Sequence, residues 1–207
     1  MVSFVRPPFT LLLVCLLPAC RDWRERVDPA RAAAEPVQEA SPGEPIELDR
    51  NGYRVRLLPR AAYRITGYAV ETSRELLDQW DFVMPLDLAL AWGPVADPAV
   101  LGKLRFHLSG RYVSYWYDAP IAGAPRPILE SHISNNHLIP ADEAIAEELD
   151  RIRIGDLVTL TGRLVDVEIH DSSGRQVARM RTSLTRTDVG SGACENVHVE
   201  AVGIERI

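Results

Sequence analysis

Residues 157–169 alternate apolar and polar side chains, from Leu157 to Ile169, with Gly162 at the middle. Such a run is one long bent strand or a tight pair of strands, because a glycine removes the side chain that would block a sharp bend or a close backbone approach. Either way it asks for a curved sheet, and the rest of the chain is read around it. Residues 53–57 alternate, and residues 63–70 are rich in aromatic and β-branched side chains, so both are expected as strands. Residues 104–108 and 112–117 flank Ser109-Gly110, a strong hairpin signal. A last strand is expected from Asn196 to about Ile204.

Helices are few in this reading. Asp97 with Pro98 behind it is an N-cap followed by a first-turn proline, opening a short helix to Lys103. The clearest helix is 141–152, where Ile145, Leu149 and Ile152 share one face and Gly155-Asp156 follows the end. Residues 71–80 are expected as a short helix or an excursion, and 85–92 as a compact apolar segment closed by a turn at Gly93-Pro94. Residues 119–140, with four prolines, are expected to be a long irregular loop. The fold class is therefore α+β, mainly antiparallel β, with one principal helix and long loops. Strands, a hairpin, a helix and then long strands resemble the order of the small OB-fold barrel, in which a helix stands between the third and fourth strands. A sheet with helices on one face is the rival.

The N-terminus carries a different message. Arg6 is a positive start, the apolar run from Phe9 to Leu17 is short, and Ala19 stands before Cys20. This is the layout of a secretory signal peptide over residues 1–19, and the run falls below the about 20 apolar residues that span a bilayer. Leu17-Pro18-Ala19-Cys20 resembles the bacterial lipobox, which implies that Cys20 is lipidated and becomes the new N-terminus. An ordinary cleaved signal with Cys20 incidental is the alternative. Arg21, in the place where an Asp would signal inner-membrane retention, implies an outer-membrane lipoprotein facing the periplasm. Residues 20–45 are rich in Ala, Glu and Pro and poor in large apolar groups, so they are expected to be a flexible tether reaching roughly 30 Å. Residues 46–207 are expected to be one globular domain.

Charge and cysteine use exclude some functions. The formal net charge is −6, and Lys103 is the only lysine, so no basic footprint for nucleic acid is present. After processing, Cys194 would be the one unmodified cysteine, which is either a buried, inert core residue or a reactive thiol. No phosphate-binding glycine loop or Ser-nucleophile elbow occurs.

Two polar segments carry the candidate surface. In 131–140, His132, Asn135, Asn136 and His137 crowd together; the two histidines are five apart rather than four, and no third ligand is evident, so neither a metal site nor a cofactor is expected. In 182–195, Arg186, Asp188, Cys194 and Glu195 surround a run of glycines and small residues. The two segments are expected to lie together as one polar surface for a small polar ligand or an envelope partner. Trp92, Tyr115, Trp116 and Tyr117 form a third, aromatic group, expected in the core.

Trp92-Gly93-Pro94, His132 to Pro140, and Ser183-Leu184-Thr185-Arg186 through Glu195 resemble a family of bacterial envelope proteins with no established activity, so the resemblance implies a shared fold. The leading expectation is a lipid-anchored binding or structural module. The alternative comes from Ser191-Gly192-Ala193-Cys194-Glu195-Asn196, which is similar to the cysteine motif of L,D-transpeptidases, cell-wall enzymes that place His-Gly before their cysteine. That resemblance implies Cys194 as nucleophile, with His132, His137 or His170 as its base.

Overall fold

The structure, a computed structural model, describes residues 22–74, 78–185 and 193–207. The two expected strands at 53–57 and 63–70 are parts of one. The third strand of the chain, β3 (Tyr53–Ser73), buries Val55, Leu57, Ala61, Tyr63 and Ile65 on one face and turns Arg54, Arg60 and Arg64 outward. Pro59 cannot donate to a ladder, and the register shifts between Pro59 and Ala61. Before it come β1 (Val37–Ala40) and β2 (Ile46–Arg50), both antiparallel to β3. After it come β4 (Leu86–Ala91), the hairpin β5 (Arg105–Ser109) and β6 (Tyr112–Trp116), β7 (Ile133–Pro140), β8 (Leu157–His170), β9 (Gln176–Met180) and β10 (Glu195–Glu205).

The pairing path runs β3–β4–β7–β10–β8, and β8 pairs back onto β3, so these five strands form a ring of pairings. Every step is antiparallel except β7–β10, which is parallel. Gly162 fulfils its expected part inside the long strand β8. A Cβ there would stand 2.0 Å from the carbonyl oxygen of His198, where β10 shifts register between Val199 and Ala201. Any side chain at 162 would push the two strands apart.

Among the described residues, three α-helices accompany the sheet: α1 (Pro98–Leu101), α2 (Arg126–Ser131) and α3 (Glu143–Asp150). Asp97 caps α1 through Ala99 N–H, as expected, and Asp142 caps α3 through Ile145 N–H. The hairpin turn also forms, with Gly110 and Arg111 both left-handed at φ 55° and 66°. That is the geometry of a two-residue hairpin turn, and an arginine occupies a position that glycine or asparagine usually takes. The core divides into a large cluster around Tyr63, Leu88, Trp92 and Leu160, and a smaller one around Leu57, Met84, Ile139 and Val167.

Four expectations change. Residues 131–140 are not a loop: β7 lies between β4 and β10, and all but the first of its residues are buried. A strand covered on both faces shows no alternation, so its polar side chains misled the reading. Residues 22–45, expected to be a flexible tether, are packed on the sheet. Val27 and Ala32 are buried, β1 joins β3, and the Tyr68 hydroxyl both donates to the Asp28 carbonyl and accepts from its N–H at 2.9 Å. A few anchors and hydrogen bonds hold this segment, which composition cannot reveal. Finally, residues 71–73 continue β3 rather than leaving it, and 112–117 is only partly core, with Trp116 exposed. The signal peptide and Cys20 lie outside the described residues.

Candidate functional site

Strand register brings the first pair together. Asp87 and His137 are direct partners across β4 and β7, on the face opposite Leu86, Leu88 and Leu90. Asp87 Oδ1 accepts from His137 Nδ1 at 2.8 Å, with Asp87 fully buried and His137 nearly so. Two residues earlier on the same face of β7 is Asn135, whose amide donates to Cys194 Sγ at 3.5 Å. Cys194 stands immediately before β10, whose parallel pairing with β7 fixes its height along the strand. The thiol also bears on the protonation of the His137 ring, and the two line one cavity. Carboxylate, imidazole and thiol thus follow one another as Asp87, His137 and Cys194.

Arg111 ties this row to the hairpin. Its guanidinium is buried and meets four acceptors: Asp78 by two bonds of 2.6 and 2.9 Å, Asp81 at 2.9 Å, Asp87 at 3.1 Å and the Met84 carbonyl at 3.2 Å. Its own carbonyl accepts from Asn135 Nδ2 at 2.7 Å and faces Cys194 Sγ at 3.9 Å. The left-handed backbone at Arg111 therefore serves two ends, since the side chain enters the acidic cage while the carbonyl orients Asn135 beside the sulfur.

Three carboxylates around one guanidinium leave a negative surplus, and His137 sits against it. Burial pushes the imidazole pKa down, but hydrogen bonds to Asp87 and Cys194, with their charge, outweigh it and raise it to about 9. The ring is an imidazolium at neutral pH. Burial would raise the Asp78 carboxyl, yet its bonds to Arg111 and to the Trp80 N–H hold it below its ordinary value.

Cys194 borders two cavities of ligand size. One, about 480 Å³, is lined by Tyr112, Tyr115, Tyr117, Arg126 and Asn135. The other, about 680 Å³, is lined by Trp80, His137, Arg179, Arg181 and Asn196. Tyr112 and Cys194 are common to both. A nucleophile, a proton-transfer group and an orienting carboxylate at the floor of a cleft are the parts that covalent acyl chemistry needs.

Of the residues singled out in the sequence, Asn135, His137 and Cys194 converge. Asn136 faces the other way, donating to Leu88 O at 3.1 Å and Ser134 Oγ at 2.9 Å. Glu195 is buried at the start of β10, paired in register with Asn136. His132 is a pin for the N-terminal segment: its Nε2 meets Glu35 at 3.1 Å, its Nδ1 meets Ser131 and Ile128, and its ring lies 5.8 Å from Trp92. His170 ends β8 beside Arg54 and lines neither cavity. Arg186 and Asp188 lie outside the described residues. The sequence reading missed Asp87, Arg111, Asp78 and Asp81. Asp87 left a signal, as the lone charge in an otherwise apolar strand, and Arg111 left one as a bulky residue in a hairpin turn.

Among the described residues, no group of three or more His, Cys, Asp or Glu is arranged to hold a metal, and no helix is long and apolar enough to cross a membrane. No protein-family model, curated protein or solved structure matches this chain.

Proposed function

We propose that this protein is an envelope domain that acts through Cys194, transferring acyl groups by way of a thioester on that residue. The observation that carries the reading is the Asp87–His137–Cys194 row at the meeting of two cavities. The thiolate attacks a carbonyl carbon of an amide or ester, forming the C–S bond as the π electrons move to oxygen. Collapse re-forms the carbonyl and breaks the bond to the leaving amine or alcohol, which takes its proton from the His137 imidazolium. Water or a second amine then attacks the thioester, His137 receives the released proton, and the thiolate leaves. Asp87 orients the ring, and the Asn135 amide donates to the sulfur.

The five-strand ring of pairings, the parallel β7–β10 pair and the place of α3 between β7 and β8 support an OB-like barrel as the scaffold. The lipobox-like segment supports attachment through Cys20 to the outer membrane, facing the periplasm, so that cell-wall peptides are within reach. Replacing Cys20→Ala is expected to free the protein from the membrane fraction, and unchanged retention would remove that part of the proposal. The site is tested by iodoacetamide labelling of Cys194 at neutral pH, followed by peptide mass. His137→Gln and Asp87→Asn are each expected to slow labelling by about tenfold or more, because the thiolate is the reactive form and both groups support it. Equal rates in all three proteins contradict the reading.

A second reading is a binding module without covalent chemistry. The tyrosines of the smaller cavity favour it, since aromatic faces suit sugars and peptides. It expects a native thiol with no enhanced reactivity.

A further inference from the structure

Resting on Cys194 as the working thiol, we propose that the larger cavity is an anion subsite, so that the substrate carries a carboxylate beside the group that meets the sulfur.

The wall of that cavity is built from β9 and the residues after it. Arg179 and Arg181 line it, two apart and so on one side of the extended chain. Arg179 is only loosely engaged, at 3.8 Å from both Asp166 and Glu168. Those two acids have other cations, Arg60 at 3.6 Å from Asp166 and Arg56 at 3.4 Å from Glu168. Arg181 is exposed and makes no ion pair among the described residues. Among the described residues, Asp78 is the one acid lining the cavity, and Arg111 already holds it by two bonds. Among the described residues, then, the positive charge of the wall is not cancelled from within.

The floor gives an independent sign. Asn196 is fully buried and lines this cavity, yet among the described residues neither its Nδ2 nor its Oδ1 has a hydrogen-bond partner. An unpartnered buried amide costs about 1–3 kcal/mol, so such groups are retained where something else meets them. Asn196 borders the space from beneath, while the arginines offer a carboxylate bidentate pairing. His137 and Cys194 border the same space, which sets the anion next to the reacting bond.

Two alkylating reagents that differ in charge form the test. Iodoacetate and iodoacetamide both transfer a carbon to sulfur with loss of iodide, and only the first carries a carboxylate. Labelling of Cys194 in the full chain is compared for both, natively and in denaturant. A charged cleft raises local counter-ion concentration by about tenfold or more, so the iodoacetate-to-iodoacetamide rate ratio is expected to exceed its unfolded value by about that factor. Arg181→Gln is expected to cut the ratio about threefold, and Arg179→Gln with Arg181→Gln further, with the iodoacetamide rate held within about twofold. A native ratio equal to the unfolded one, or a ratio unmoved by both substitutions, overturns the subsite and leaves Cys194 as the nucleophile. A thiol inert to both reagents overturns the subsite and the proposed function together.

Discussion

The β3–β8 side and the β4–β7–β10 side of the sheet handle polar residues in opposite ways. Along β3 and β8, the charged pairs keep their arginines in water: Arg56, with Glu47 and Glu168, and Arg60, with Asp166, stand at the rim, while Glu168 and Asp166 are buried beneath them. On the other side, β4 and β7 are covered on both faces, and the polar residues they carry are enclosed. Pairs whose cation stays in water gain little from each other, whereas fully enclosed groups must find every partner inside the protein. The enclosed side does so in part, through Arg111, Asp87, His137 and Asn135, with Cys194 beside them at the border of the cavities, while Asp87 Oδ2, Asn135 Oδ1 and both amide atoms of Asn196 have no partner among the described residues. Chemistry collects where polar groups are both buried and organised.

Removing one cation from each side should separate the two regimes. Arg111→Met leaves three carboxylates facing one another and is expected to cost about 3–5 kcal/mol, read from denaturant unfolding. The next largest effect is a pH dependence that belongs to the enclosed side. His137 has its folded pKa raised from 6.5 to about 9, so its stabilising contribution is complete below about pH 6.5 and is lost as pH rises through about 9. The loss is on the order of 3 kcal/mol, and His137→Gln should flatten the stability profile across that window. Smallest is Arg56→Gln on the rim, where the side chain is 36 % exposed and the expected cost is under about 1 kcal/mol. Comparable losses for Arg111→Met and Arg56→Gln would erase the distinction between the sides.

The same contrast explains what was legible in the sequence. The half-exposed strands announce themselves by alternation: Val55, Leu57, Tyr63 and Ile65 on β3, and the run around Gly162 on β8. The hairpin at Gly110 and the caps at Asp97 and Asp142 are written in short range. The site is not. Asp87 and His137 are 50 residues apart and meet only through strand register, and Arg111 reaches them from a separate hairpin. His132 and His137 are equivalent in a linear reading, yet one pins Glu35 and the other faces the thiol. Residues 22–45 dock by a handful of anchors such as Val27 and Tyr68, too sparse to stand out from a Pro- and Ala-rich composition.

The central claim is that Cys194 belongs to a working Asp87–His137–Cys194 row rather than to an inert polar interior. The most direct measurement is the iodoacetamide labelling rate of Cys194 at pH 7 in the native full chain, set against the same thiol in denaturant. A working row sets the His137 ring and the Asn135 amide beside the sulfur to support its attack, so native labelling should outrun unfolded labelling by about tenfold. A native thiol that labels more slowly than the unfolded one, and only as the protein opens, would contradict the account.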